Sequence, residues 1–87
     1  MNALTVLKVE VERQGFQFDD ATDAEFVLKF PDHFLHFIQV DKGVRVAWRK
    51  LNEPANFLSR TVLETRNEKV ISSPGAVLQH ALEFHHE

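Results

Sequence analysis

The sequence predicts an α+β fold: an antiparallel β-meander of three to four strands, packed on one face by a C-terminal helix and by a second helix. Two observations carry this. Three β-prone apolar runs follow one another between residues 24 and 51, separated by short turn signals. A Ser-Pro pair at 73–74 then opens an apolar stripe of helical period. A chain of 87 residues is short enough to be read as a single domain, residues 1–87, and helix on sheet is the two-layer solution for that size.

The first segment, Leu4 to Phe18, carries two periods. Leu7, Val9 and Val11 alternate with Lys8, Glu10 and Glu12, as in a half-buried strand. Leu4, Leu7 and Val11 also form a helical stripe, and Gly15-Phe16 would make a helix C-cap. A helix leaves Val6 and Val9 away from that stripe, so the strand is preferred. The acidic cluster Asp19, Asp20, Asp23 and Glu25 reads as a solvated loop; it lacks the ligand spacing and central Gly of a calcium loop.

The meander comprises Ala24–Phe30, Phe34–Val40 and Val44–Leu51. Asp41-Lys42-Gly43 reads as a three-residue hairpin loop with Gly43 left-handed. This pairs Ile38 with Val46 and His36 with Trp48. A three-residue loop Pro31-Asp32-His33 is also expected, because a two-residue loop would set Phe26, Leu28 and Phe30 on the face opposite Phe34 and Ile38. The register gives a core face of Phe26, Leu28, Phe30, Phe34, Ile38, Val40, Val44, Val46 and Trp48. The opposite face carries the row Val27, Phe37 and Ala47, flanked by Lys29, Leu35 and Arg49 and by Glu25, Gln39 and Arg45.

Asn52-Glu53-Pro54 reads as a helix start, with Phe57, Leu58, Thr61, Val62 and Thr65 on one face. The competing reading is a hairpin of Thr61–Thr65 with Lys69–Ser72. The helix is preferred, followed by an extended Lys69–Ile71. The last helix has Ser73 as N-cap, Pro74 at its first position, and Val77, Leu78, Ala81, Leu82 and His85 on its apolar face.

Composition narrows function more than it identifies it. The chain has no cysteine, which excludes disulfides, thiolate metal sites and a cysteine nucleophile. No signal-peptide pattern or bilayer-length apolar run is present, so a cytoplasmic protein is expected. A net charge of −3 argues against a dedicated nucleic-acid binder. There is no Gly-rich phosphate loop and no nucleophile-elbow context. Among the histidines, His80 and His85 miss the i,i+4 spacing of a helical metal pair, and His33 and His36 fall on opposite sides of a strand. No metal and no cofactor are expected.

What remains is a non-catalytic protein-interaction or regulatory module, of adaptor or inhibitor type, binding another protein or its own copy. Its expected contact residues are Val27, Leu35, Phe37, Arg45 and Arg49, an apolar patch rimmed by cations. One alternative is a small-ligand pocket or minor enzyme site around His36 and Trp48, expected side by side on the core face. A second is single-strand nucleic-acid binding by Arg45 and Arg49 with Phe37 as a stacking ring.

Overall fold

The computed structural model describes residues 2–56, 58 and 62–84. The chain runs α1 (Ala3–Arg13), β1 (Asp20–Ala21), β2 (Glu25–Lys29), β3 (His33–Gln39), β4 (Gly43–Lys50), β5 (Val62–Arg66), α2 (Asn67–Ser72) and α3 (Pro74–Leu82). The strands form one antiparallel meander in the order β1-β2-β3-β4-β5. The expected α+β class and antiparallel meander are present. The sheet gains a strand over the expected three to four, and the helices are three among the described residues.

The first segment is a helix, not the preferred strand. Asn2 caps it by accepting from the Thr5 N–H at 2.8 Å. Gly15, at φ 89°, ends it. The Phe16 N–H reaches the Val11 oxygen and the Gly15 N–H the Glu12 oxygen, which is a Schellman closure. Leu4, Leu7 and Val11 are fully buried, whereas Val9 is 60% exposed. Burial of one helical stripe outweighs the local alternation.

Both hairpin loops are two residues long, where three were expected. The Phe30 N–H bonds the His33 oxygen and the Val40 N–H bonds the Gly43 oxygen, so Pro31-Asp32 and Asp41-Lys42 are the loops. Phe37 therefore faces Phe26 on one side and Val46 on the other. The two one-residue differences cancel across β3: β2 and β4 present the expected faces and only β3 is turned over. Gly43 is not left-handed. A Cβ there would lie 2.1 Å from the Thr65 backbone oxygen, so close approach of β5 is what requires glycine.

The region after β4 also differs. Residues 62–66 form β5, paired to β4 with Val46 opposite Leu63, rather than helix. Phe57 and Thr61 of the expected middle helix, and His85 and His86, lie outside the described residues. The hairpin alternative is met in its first strand, over residues 62–65, but not in its second; Lys69–Ile71 is neither extended nor paired and belongs to α2, which buries Val70 and leaves Ile71 exposed. Asn67 starts α2 because its N–H bonds the Lys42 oxygen and its side chain accepts from Gln39 Nε2 at 2.9 Å. The Oε1 atom of Gln39 accepts from the Leu4 N–H, so one side chain joins the starts of α1 and α2 to the β3–β4 hairpin. Ser73 is the N-cap residue of α3 and Pro74 follows it, but the Ser73 side chain makes no cap hydrogen bond.

The core lies between the helices and one sheet face. Phe26, Leu28, Leu35, Phe37, Val44 and Val46 meet Leu4, Leu7 and Val11 of α1, Val70 of α2, and Val77, Leu78 and Ala81 of α3. Phe26 and Phe37 stack at 4.5 Å between centroids.

Glu10 sits among these helices almost buried, its Oε2 atom 3.6 Å from where a Cβ on Gly75 would stand, in the first turn of α3. Hydrogen bonds from Gln14 and then Arg13, with the Arg13 charge, hold its carboxyl below the usual glutamate range, against the opposing effect of burial. A carboxyl lowered on folding stabilises the native state above its unfolded pKa, and loses that contribution as pH falls through its folded pKa. Urea unfolding of Glu10→Gln should therefore show a stability deficit at neutral pH that narrows as pH falls below the ordinary carboxylate range. A deficit constant with pH would contradict this.

Candidate functional site

No described helix packs on the other sheet face, called here the second face. Its side chains form three rows across the strands. The first is Glu25, Ile38, Arg45 and Glu64; the second is Val27, His36, Ala47 and Val62; the third is Lys29, Phe34 and Arg49. Each strand contributes alternate residues, so these positions follow directly from the register.

A polar chain crosses this face. His36 on β3 is 5% exposed. Its Nδ1 atom lies 2.8 Å from Glu25 Oε2 on β2, and its Nε2 atom 3.0 Å from Arg49 Nε on β4. Arg49 also donates from Nη1 to the Glu53 backbone oxygen at 2.8 Å. Its guanidinium carbon stands 4.1 Å from the centre of the Phe34 ring. Arg45 pairs with Glu64 at 2.6 Å. Phe34 and Ile38 remain half-buried on either side of His36, and Val62 is 39% exposed.

Of the expected contact residues, Val27, Arg45 and Arg49 are on the second face. Leu35 and Phe37 are not: they are 1% and 0% exposed beneath the helices, because β3 is turned over. Val27 and Arg49 are themselves mostly covered, at 6% and 9% exposed, so the face presents less of both than expected. Phe34 and Ile38, expected in the core, take the apolar positions of β3 on the second face. The signal that could have found them is the helical stripe of residues 4–11, which supplies a cover for Leu35 and Phe37.

The His36–Trp48 pocket does not form, since the two side chains lie on opposite faces. Trp48 instead stacks on His33 at 5.3 Å, and His33 on Phe30 at 4.8 Å, with His33 Nδ1 2.6 Å from the Asp32 carboxylate. Single-strand binding loses its stacking ring with the burial of Phe37. Among the described residues, shallow surface depressions lie near the β3–β4 loop, the β4–β5 pair, the Gly15–Phe18 turn and the α2–α3 junction, and none of these is lined by His36 or Trp48.

Among the described residues, no group of three or more His, Cys, Asp or Glu side chains is placed to hold a metal ion. No described helix is long and apolar enough to cross a membrane. Comparison of the chain with protein-family models, with curated proteins and with solved structures gives no significant match.

Proposed function

We propose that this chain is a non-catalytic interaction module that self-associates, two copies docking through the second face of the sheet. The observation that carries the reading is the pattern on β3: Phe34 and Ile38 stand half-buried around a polar chain, with the Arg49 guanidinium already held over Phe34. Aromatic and arginine side chains are enriched at the energetic centres of interfaces. Side chains ordered beforehand lose little freedom on docking.

A second copy is the partner because the pattern complements itself. Glu25 and Lys29 stand at the two ends of β2, beside Ile38 and Phe34 respectively on β3. A two-fold axis through the His36 row turns the second copy end for end. It sets Glu25 against Lys29, Ile38 against Phe34 and Arg45 against Arg49, each pair occurring twice, as an isologous contact requires. The approach of Arg45 to Arg49 is of like charge, and it is offset by Glu64, which pairs with Arg45 at 2.6 Å.

Light scattering on a sizing column tests this. The wild type is expected at twice 10.1 kDa, and Ile38→Asp as a folded monomer. A wild type that stays monomeric at high concentration overturns the reading.

A further inference from the structure

The chain Glu25–His36–Arg49 assigns the proton of the imidazole. A guanidinium donates and does not accept. The Nε2 atom, 3.0 Å from Arg49 Nε, therefore holds the lone pair. Nδ1 then carries the hydrogen and donates to Glu25 at 2.8 Å. Both ring nitrogens of the neutral ring are used, one as donor and one as acceptor.

A second proton has one place to go, which is Nε2. The ring would then present an N–H to the N–H of Arg49, and one positive charge to another. The bond to Glu25 becomes an ion pair and strengthens, while the bond to Arg49 cannot persist. Among the described residues, the charged groups around His36 on this face are Glu25 and Lys29 of β2, Asp20 of β1, Arg45 and Arg49 of β4, and Glu64 of β5, with Glu53 of the segment after β4 beside Arg49. Of these, Glu25 accepts a hydrogen bond from the ring and Arg49 donates one to it. Arg49 would keep the Glu53 carbonyl oxygen, reached through a different nitrogen, and would have to swing to find a new acceptor for Nε.

We propose that His36 is a proton-operated latch: protonation of Nε2 releases Arg49 and shifts its guanidinium from the Phe34 ring, reshaping the second face. Its effect on docking rests on the self-association reading above. The latch itself rests on the hydrogen-bond geometry alone.

The test is nuclear magnetic resonance on the ¹⁵N-labelled 87-residue chain, followed from about pH 8 to about pH 5. At the upper end, long-range proton–nitrogen spectra should show His36 with its hydrogen on Nδ1, and the Arg49 Nε–H signal should exchange slowly with water. On acidification that signal should be lost in one step, with the same midpoint as the His36 ring. In His36→Gln the amide can donate to Glu25 and accept from Arg49 without titrating, so the Arg49 signal should persist throughout. An Nε2–H tautomer at the upper end overturns the latch. So does an Arg49 signal that is unchanged as His36 charges, or a step that survives in His36→Gln. If that variant does not fold, the wild-type spectra decide alone. A monomeric wild type would contradict the docking reading and leave these spectra as the judge of the latch.

Discussion

Replacing Phe37 with alanine is expected to lower the unfolding free energy by about 3–5 kcal/mol, the range for truncating a fully buried phenylalanine. The ring is 0% exposed and stacks on Phe26 at 4.5 Å, with Val46 across the other strand pair. Truncation removes its transfer free energy and leaves a cavity that the surrounding core can fill only in part. A domain of this length has roughly 4–13 kcal/mol in total, at about 0.05–0.15 kcal/mol per residue. The loss is therefore a large share of the whole. Phe37→Asp, which buries a carboxylate, should not fold. Phe34→Ala, on the half-buried side of the same strand, should cost clearly less than Phe37→Ala. Urea unfolding followed by circular dichroism measures both. A Phe37→Ala loss under about 0.5 kcal/mol, the surface range, would restore the register with three-residue loops.

Gly43→Ala should be nearly as damaging, for a reason unrelated to backbone freedom. The added Cβ would stand 2.1 Å from the Thr65 oxygen, 2.9 Å from its carbonyl carbon and 3.2 Å from the Arg66 Cα. All three are backbone atoms of β5, so no side chain can turn aside. Either β5 moves off β4 or the start of β4 shifts, and overpacking of this kind costs about 1–3 kcal/mol, occasionally more. The upper end is expected here. Displacement of β5 should also appear as faster amide exchange at residues 63–66, while β2 and β3 keep their protection. An alanine variant as stable as the wild type would contradict the close β4–β5 approach.

The strands β2 to β4, their order and the C-terminal helix were legible because each has a local signal: β-prone runs, short polar turns, Ser73-Pro74. The face of β3 was not. Phe34, His36 and Ile38 point one way and Leu35 and Phe37 the other, so both faces are apolar and alternation does not choose between them. Neither Pro31-Asp32 nor Asp41-Lys42 is the Asn-Gly type that marks a two-residue loop by itself. What decides is the extra cover supplied by α1, and α1 was hidden because Leu7 and Val11 satisfy both periods. The same limit applied to β5 and α2. Thr61–Thr65 and Lys69–Ile71 are β-prone alike, but Val70 is buried among helices while residues 62–66 pair with β4. The polar chain through His36 was beyond reach from sequence, since its members come from three strands and depend on the register.

Correcting β3 moves the candidate surface from Leu35 and Phe37 to Phe34 and Ile38. It also turns His36 from a core residue into the centre of that surface. The measurement that tests this most directly is the solution mass of three chains: wild type, Ile38→Asp and Lys29→Glu. Ile38→Asp removes the apolar contact, and Lys29→Glu places like charges opposite each other in the end-for-end arrangement, on a residue exposed in the single copy. A wild-type dimer is expected, with both variants folded and shifted to monomer. A wild type at 10.1 kDa, or a dimer that neither substitution weakens, would contradict it.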